Sequence, residues 1–533
     1  MKINSLRKSI QILRRTYHLF QKKKKSLSLE AKSRLQQAMT SLQTEIMAKR
    51  REDAHHKALE LQNLAKVLLR KTPFEQGRDL IFGVGCALAI AVLVRLTWFE
   101  LYEIPTGSMR PTLKEHDRLI VSKTDFGINF PLKPEHIYFN PELTKRSGIF
   151  VFTGENMDIR DVDTLYFYIF PGKKQYIKRL MGKPGDTLYF YGGLIYGIDE
   201  HGHDISKELQ LPELNRIDHV PYIHFEGKVK TGRKVDGIYS PVVFYQMNEA
   251  IAEMSLTVSG KVASTLMPPF EKAENYSNLF GMNHYAMARL VTKNTINPPQ
   301  NLEEGILYLE LKHHPNLNNA KVAFDEYGRL RPMMALSTSY IPLQMQDLQT
   351  LMANLYTARF EVKDGIALRY GSNKEYARPF APSLPGVPDG SYEFYYGKAY
   401  KIYPQGIEIE LASDHPLYQF SPEKIQLLFN LGMEFDTRFS KESNHTTLMP
   451  ARFAYFRNQD LYVAGAKLFN KENPTLAAFV EKESKTSAPF IDSGPPLTAD
   501  GSIDSALINQ YGLKIPPKMY LALGDNYAMS ADS

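Results

Sequence analysis

The chain has 533 residues, 43% of them apolar and 23% charged, and its net charge of +7 divides into +12 for residues 1–79 and −5 for the remainder. This globular composition excludes wholesale disorder and collagen-like or coiled-coil fibres, while 31 Tyr and 29 Phe favour substantial β structure. The single cysteine excludes a disulfide-stapled secreted scaffold and a cysteine-rich zinc site.

Residues 1–79 predict a basic, helical, cytoplasmic segment. Apolar residues recur at helical spacing between residues 4 and 70, which indicates one or two amphipathic helices with a break at Ser26–Ser28. Nineteen Lys and Arg residues precede the apolar run that follows. Attraction to anionic lipid explains this charge better than binding of nucleic acid, so we expect no nucleic-acid partner.

Residues 80–99 form an apolar run with one charged residue, Arg95, and predict a transmembrane helix. Twenty residues at about 1.5 Å each span the roughly 30 Å hydrocarbon core of a bilayer, and Trp98 and Phe99 begin an aromatic belt. A buried core helix and a cleavable signal are the alternatives, the second disfavoured by the 79 preceding residues. The excess of Lys and Arg before the run predicts a cytoplasmic N-terminus, with residues 100–533 on the other side.

After the apolar run, short alternating apolar runs are separated by Gly and Pro, which is typical of strands and hairpins. The clearest runs lie in residues 100–190, followed by a predicted hairpin turn at Gly192–Gly193. Residues 191–513 mix strand-like runs with predicted helices near residues 341–358 and 421–434. We therefore predict a mainly β core interrupted by a large α+β insertion.

The first chemically informative segment is Ile104-Pro-Thr-Gly-Ser-Met-Arg-Pro-Thr-Leu113. Pro105 and Gly107 bracket Ser108, so its hydroxyl can lie on a tight turn near backbone amides. A serine hydroxyl is a poor nucleophile until a base removes its proton, and no histidine stands in a setting that suggests this role. The sequence contains no HExxH motif, which excludes a helical zinc protease.

A second segment, Tyr176-Ile-Lys-Arg-Leu-Met-Gly-Lys-Pro-Gly-Asp186, offers a lysine as the base. Lys178 lies in an apolar run, and strand alternation predicts that it faces away from Ile177. Desolvation lowers the pKa of a lysine, and a fall from about 10.4 to about 7 would make Lys178 a usable base. For an isolated pair of such residues, the ordinary alternative is a surface lysine and a turn serine.

Together the two segments resemble those of type I signal peptidases, membrane-anchored Ser-Lys proteases that remove signal peptides from exported proteins. Residues 104–113 match the nucleophile box of this family, with Thr106 in place of its first serine, and residues 176–186 match the lysine box. Residues 116–128 resemble the strand box, and residues 524–533, GDNYAMSADS, resemble the GDN box. The four boxes follow the family order behind a predicted anchor helix.

The resemblance implies a serine protease that needs no metal or organic cofactor, with Ser108 as nucleophile and Lys178 as general base. The Ser108 amide and the Thr106 hydroxyl would form the oxyanion hole. The residues that would orient the lysine or hold the boxes together are Ser530, Asp525, Asp532 and Arg179. Those that would line shallow pockets for small substrate side chains are Ile104, Pro105, Met109, Leu113, Tyr176 and Ile177.

The implied reaction is removal of N-terminal signal peptides from exported preproteins, after small residues of the Ala-x-Ala type, at the bacterial inner membrane. Signal peptides and the lipid bilayer are then the expected partners, with the translocation machinery as a further candidate. Two alternatives stay open: a narrow-specificity protease of the same clan, and a non-catalytic membrane-tethered envelope scaffold.

Three features depart from the family pattern. Tyr527 stands where the family commonly has Arg, and 337 residues separate Asp186 from Gly524, more than typical members carry. The sequence stops at the last residue of the GDN box, so we expect the chain to be incomplete at its C-terminus. The predicted domains are a cytoplasmic segment, a transmembrane helix, the first part of a catalytic β core, an insertion of unassigned role and the return to the core, at residues 1–79, 80–99, 100–190, 191–513 and 514–533.

Overall fold

The computed structural model divides into two compact units, the second of which begins at Leu96. It describes residues 5–70, 72–130, 135–154, 162–166, 170–221, 223–226, 242–246, 249–256, 262–267, 283–295, 302–324, 330–369, 383–431, 452–527 and 530. The helices of these residues are α1 (Leu6–Lys23), α2 (Leu29–Met47), α3 (Arg51–Leu68), α4 (Pro73–Thr97), α5 (Ser206–Leu209), α6 (Met345–Ala353), α7 (Pro422–Leu431), α8 (Pro474–Glu483) and α9 (Ser505–Tyr511).

The strands pair in antiparallel sheets, several of them small. They are β1 (Phe99–Glu103), β2 (Arg118–Ser122), β3 (Gly127–Asn129), β4 (His136–Phe139), β5 (Ile149–Thr153), β6 (Asp163–Tyr166), β7 (Phe170–Lys173), β8 (Gln175–Gly182), β9 (Thr187–Tyr191), β10 (Leu194–Ile198), β11 (Ile223–Glu226), β12 (Val242–Gln246), β13 (Glu249–Leu256), β14 (Val262–Leu266), β15 (Tyr285–Thr292), β16 (Leu307–Phe324), β17 (Leu330–Pro342), β18 (Phe360–Lys363), β19 (Ile366–Arg369), β20 (Gly390–Tyr395), β21 (Lys398–Ile402), β22 (Glu408–Glu410), β23 (Arg452–Arg457), β24 (Asp460–Val463), β25 (Ala466–Phe469), β26 (Leu513–Lys514) and β27 (Leu521–Leu523).

The basic N-terminal segment forms three helices, α1 to α3, so the prediction of one or two is wrong by at least one. The predicted break at Ser26–Ser28 is confirmed, because Ser28 caps α2 by accepting a hydrogen bond from the Ala31 amide. The second break lies at Lys49, which has a positive φ of 56° and no neighbouring Gly or Pro to announce it in the sequence. The three helices bury a shared apolar core of Phe20, Leu35, Met39, Leu42, Ala54, Ala58, Leu61 and Leu69.

Helix α4 carries the apolar run and is long and apolar enough to cross a bilayer, judged by its length and composition. It starts at Pro73, ahead of the predicted start at residue 80, and Phe99 already belongs to β1. Proline is favoured at a first helical position because its missing N–H has no partner there anyway. No side chain of α4 is buried within the protein, unlike those of a core helix.

Strand β8, which carries Lys178, lies at the centre of a three-stranded sheet between β5 and β27. Strands β1 and β2 form a separate ribbon on either side of the Ser108 segment. The Tyr102 hydroxyl of β1 donates a hydrogen bond to the Gln175 side chain at the start of β8. The two sheets are thereby tied together beside the boxes.

The long segment between the lysine and GDN boxes contains the larger sheets. One has the order β17-β16-β15-β23-β24-β25, and another has the order β19-β18-β20-β21-β22. Both contribute, with α6, α7 and α8, to one hydrophobic core. A second core combines apolar residues of β8 and β9 with those of β12, β13 and β27, so part of the long segment shares its interior with the strand of Lys178.

Local predictions succeed where consecutive residues determine the structure. The predicted turn at Gly192–Gly193 joins β9 to β10, and both glycines have positive φ, 61° and 75°, which a tight hairpin turn requires. The helices predicted near residues 341–358 and 421–434 are present as the shorter α6 and α7, although residues 432–434 lie outside the described residues. The described chain is therefore a mixed α and β protein with several small antiparallel sheets.

Candidate functional site

Ser108 lies in a short 3₁₀ turn, Gly107–Met109, in the connection between β1 and β2. The base of this connection is closed by a hydrogen bond from the His116 amide to the Ile104 carbonyl, at 2.8 Å. The Met109 side chain is fully buried and anchors the turn in the protein interior. Ser108 itself is half-buried, so its hydroxyl lies on a closed loop and is still accessible to a ligand.

Lys178 donates a hydrogen bond to this serine, with 3.0 Å between Nζ and Oγ. The lysine is only 3% exposed, and its β8 position is paired with Phe150 of β5. Burial penalises the charged form of an amine and so favours the neutral form. A neutral amine at hydrogen-bond distance from a hydroxyl can remove its proton, which gives the pair the geometry of a nucleophile and its base.

Arg179, the next residue of β8, binds the GDN box through a bidentate ion pair with Asp525. The distances are 2.8 Å from Nε to Oδ1 and 2.6 Å from Nη2 to Oδ2, and Nη1 donates to the Ser147 carbonyl at 2.6 Å. The Thr112 hydroxyl donates to the same carboxylate, which connects the nucleophile box to the pair. Both charged residues are buried, so removing either partner would leave an uncompensated charge in the interior.

The GDN segment also contacts the serine turn directly. The Asn526 backbone N–H donates to the Ser108 carbonyl at 3.0 Å, and its side-chain Nδ2 donates to the Gly107 carbonyl at 3.1 Å. A Cβ atom at Gly524 would lie 2.6 Å from the Ser108 carbonyl oxygen and would collide with Oγ of Ser530. Asn526 therefore holds two consecutive carbonyl groups of the turn, those of Gly107 and Ser108. The GDN segment lies so close to the turn that only glycine fits at position 524.

The structure brings Ser108, Lys178, Arg179, Asp525 and Ser530 to one place. Asp532 lies outside the described residues. Thr106 is exposed and has extended backbone just before the turn, with a φ of −138°. The residues predicted to line substrate pockets differ in exposure. Ile104 and Met109 are buried, and Pro105 is exposed. Leu113, Tyr176 and Ile177 are half-buried.

Several neighbours of the site were not predicted. Asn526 lies inside the GDN box, and this position is the only signal in the sequence for its contact with the serine turn. Tyr527 places its hydroxyl 2.9 Å from Nδ1 of His219, and burial lowers the pKa of this histidine to about 4. Arg110, two residues after Ser108, is buried and bonded to the Thr357 carbonyl and to a carboxylate further along the chain. No local pattern in the sequence indicates such a long-range contact.

No group of three or more His, Cys, Asp or Glu side chains among the residues that the structure describes is arranged to hold a metal ion. The site itself presents a hydroxyl beside a buried amine.

Residues 78–223 match the family model described as signal peptidase, peptidase S26. The matched residues include Ser108 and Lys178, which lie in different elements and meet at 3.0 Å. Over these residues the chain is similar to the peptidase S26 family. The GDN segment, which contacts the serine turn, lies outside the matched residues, because the long segment separates the two in sequence.

Relatives named signal peptidase I match part of the chain. The chain is 29% identical to that of Rickettsia bellii (strain OSU 85-389) over 164 residues, which are 31% of this chain and 51% of the relative. Identity to the protein of Haemophilus influenzae is 29% over 159 residues, 26% of this chain and 42% of the relative. Identity to that of Rickettsia canadensis (strain McKiel) is 28% over 179 residues, 32% and 58% respectively. The chain spans about half the length of the curated relatives it matches.

Proposed function

We propose that the protein is a membrane-bound serine endopeptidase that removes N-terminal signal peptides from exported preproteins. The observation that carries the proposal is the 3.0 Å contact between Nζ of the buried Lys178 and Oγ of Ser108. The peptidase S26 match and the relatives named signal peptidase I support the substrate class.

In the proposed mechanism, neutral Lys178 accepts the Ser108 proton while Oγ attacks the carbonyl carbon of the scissile peptide bond. The carbonyl oxygen becomes an oxyanion, for which the Ser108 amide and the Thr106 hydroxyl are the proposed donors. The Lys178 ammonium then protonates the leaving amine, and the peptide bond breaks to give an acyl-enzyme. Water attacks this ester with Lys178 again as base, which releases the new carboxyl end and restores Ser108.

The apolar side chains beside the dyad support a preference for small residues before the scissile bond. Leu113, Tyr176 and Ile177 are half-buried, so they offer shallow apolar surface rather than a deep cavity. A substrate in extended conformation would gain affinity from its backbone and selectivity from such surfaces. This arrangement suits substrates with Ala-x-Ala sites.

A location at the bacterial inner membrane is supported by helix α4 and by the charge that precedes it. Nineteen Lys and Arg residues before α4 favour a cytoplasmic N-terminus and an extracytoplasmic catalytic region. Leu101, Ile120 and Ile137 are 69%, 74% and 66% exposed, and exposed apolar side chains of this kind suit a surface that works beside lipid.

Cleavage of a preprotein with an Ala-x-Ala site by the detergent-solubilised full chain tests the proposal. We expect wild-type protein to cut after the second Ala, and Ser108→Ala and Lys178→Ala to lose at least about 10³-fold in rate. Ser122→Ala, which removes an exposed hydroxyl of β2, is the matched control and should keep the wild-type rate. Full activity in Ser108→Ala would contradict the proposal, and cleavage of a single preprotein from a varied panel would favour the narrow-specificity protease.

The proposed base also predicts a pH dependence. Only the neutral amine of Lys178 accepts a proton, so the rate should rise with pH through the ionisation of this lysine and fade in acid. Initial rates at saturating substrate between pH 5 and 9 measure the profile. A flat profile over this range would argue against a lysine base.

A further inference from the structure

A cluster of charged side chains joins the Ser108 turn to the sheet β19-β18-β20-β21-β22 of the long segment. We call it the ionic cluster. Its members are three cations and three carboxylates, and their charges balance. Three belong to the loop of Ser108 and three to the long segment: Arg110, Lys114 and Glu115, then Arg359, Glu393 and Glu408.

Glu393, in β20, is the centre of the ionic cluster and is fully buried. Its Oε2 accepts hydrogen bonds from Arg110 Nη2 at 3.0 Å and Arg359 Nε at 3.1 Å, and its Oε1 accepts one from Lys114 Nζ at 2.6 Å. Burial alone would raise the pKa of this carboxyl, but Arg110, Lys114 and Arg359 hold the pKa below its ordinary range. Glu393 is therefore ionised at neutral pH and attracts two cations of the serine loop.

The ionic cluster contacts the turn itself at Gly107. A Cβ atom there would lie 2.8 Å from Oε1 of Glu115 and 3.2 Å from Cδ of Arg110, so the backbone of the turn rests directly on this ion pair. Arg110 is fixed in turn by hydrogen bonds from Nε to Glu115 Oε2 at 2.8 Å and from Nη1 to the Thr357 carbonyl at 3.2 Å. A displacement of Arg110 would therefore move the peptide that precedes Ser108.

We propose that Glu393 is a positioning residue that acts through Arg110 to hold Ser108 in register with Lys178. The long segment then supports the catalytic turn and is more than steric decoration. This inference rests on the proposed function, since it concerns the same nucleophile. Misplacement of a reacting group by about 1 Å can reduce a rate about 10²-fold, so a modest shift of the turn is enough to be measured.

Three charge-neutralising variants of the full chain form a graded test. Glu393→Gln keeps the side-chain shape and should lower kcat about 30-fold with KM changed less than about twofold, because the turn and not the substrate contact is altered. Glu408→Gln removes a half-buried partner of Lys114 and Arg359 and should lower kcat about threefold. Glu410→Gln, in the same strand as Glu408, breaks only an exposed pair with Lys398 and is the control with wild-type kcat.

Hydrogen–deuterium exchange supplies a readout that does not depend on activity. In Glu393→Gln the amides of residues 107–112 should exchange about tenfold faster, because the ion pair beneath them has lost a partner. Glu410→Gln should leave their exchange unchanged. The pH profile of kcat should keep its wild-type midpoint in Glu393→Gln, since the substitution leaves the pairing of β8 with β5, in which Lys178 is buried, unchanged.

The outcomes separate this inference from the proposed function. Wild-type kcat and wild-type exchange in a folded Glu393→Gln variant would overturn the inference and leave the proposed function intact. If the wild-type protein cleaves no preprotein, the proposed function is overturned. Faster exchange at residues 107–112 in Glu393→Gln would still support the link from Glu393 through Arg110 to the Ser108 turn. If Glu393→Gln does not fold, unchanged kcat and exchange in Glu408→Gln would overturn the inference.

Discussion

The turn of Ser108 is supported from two sides that are built differently. On one side, the GDN box bonds the carbonyls of the turn through Asn526 and is itself fixed to β8 by the ion pair of Arg179 and Asp525. On the other side, the ionic cluster connects the turn to strands of the long segment. The first support consists of residues within the boxes that resemble those of the family, whereas five of the six members of the second lie outside them. A match to the motifs therefore predicts the support by the GDN box but not the support by the ionic cluster.

The two supports also differ in energetic character. A backbone or amide hydrogen bond contributes about 1 kcal/mol to the free energy of unfolding, so the Asn526 contacts are individually modest. Buried ion pairs gain little net stability because desolvation offsets their attraction, yet breaking one by removal of a single partner costs about 3–5 kcal/mol. The ionic cluster thus contributes more to a defined geometry than to overall stability.

The largest effect is expected at the proposed dyad of Ser108 and Lys178. Lys178→Arg keeps a positive charge but replaces an amine that can be neutral by a guanidinium that stays protonated. We expect cleavage to fall at least about 10³-fold, measured as initial rate on a peptide substrate. Lys183→Arg, in the same box, is the control. Retention of a tenth of the activity in Lys178→Arg would show that the residue acts as a cation and that both supports hold something other than a base.

The next effect is on the free energy of unfolding, in which the two supports should differ. Asp525→Asn leaves Arg179 buried without its carboxylate and should lower the free energy of unfolding by about 3–5 kcal/mol, measured by urea denaturation. Glu393→Gln should lower it less, because Glu115 and Glu408 remain as partners for the three cations. Equal losses in the two variants would remove the energetic distinction between the supports.

A smaller effect tests whether both supports act on the same peptide. Asn526→Ala removes the side-chain hydrogen bond to the Gly107 carbonyl and should lower kcat about tenfold, with a loss of about 1 kcal/mol in stability. Since the ionic cluster also rests on Gly107, the double variant with Glu393→Gln should lose less than the product of the two single effects. Multiplicative losses in kcat would mean that the supports act independently.

The last effect concerns the pH dependence of stability, through buried histidines in the long segment. Burial lowers the pKa of His284 to about 3, of His313 to about 3 and of His314 to about 4. A folded pKa below the ordinary value near 6.5 gives stability that is complete above pH 6.5 and is lost as the pH falls toward these values. His314→Asn should therefore flatten the decline in unfolding free energy between pH 6.5 and 4 by up to about 1.4 kcal/mol per pH unit.

Urea denaturation at pH 7, 6 and 5 measures this slope, with His203→Asn, an exposed histidine, as the control. In the ionic cluster, the neighbouring cations lower the pKa of Glu115 and Glu393, so these two carboxylates lose their contribution to stability only at lower pH, as the pH falls through those lowered values. An unchanged slope in His314→Asn would mean that this histidine is not buried in its neutral form.

The sequence could predict what is encoded in consecutive residues. The hairpin at Gly192–Gly193, the apolar helix α4 and the break before Ser28 all have local signals in glycine, in uniform hydropathy or in a capping side chain. The approach of Lys178 to Ser108 was expected from family resemblance, since the two are 70 positions apart and no spacing rule joins them.

The ionic cluster could not be predicted in this way. Arg110 and Glu393 are 283 residues apart, and charged residues in a strand pattern ordinarily indicate a solvated face. Their burial depends on mutual pairing in three dimensions, which no local pattern expresses. The third N-terminal helix was missed for a related reason, because Lys49 adopts a left-handed backbone without a glycine to reveal it.

The contact between Arg179 and Asp525 joins residues 346 positions apart and thereby fixes the order in which the site is assembled. A nascent chain presents Ser108 and Lys178 early, but Gly524, Asp525 and Asn526 are synthesised only after the long segment that separates them from β8. Strand β27 is accordingly a late strand to join its sheet, and closing so long a loop is entropically unfavourable until the intervening residues have folded. The serine turn therefore acquires the support of the GDN box only after the long segment has been synthesised, and a nascent chain that has not reached Gly524 carries Ser108 without that support.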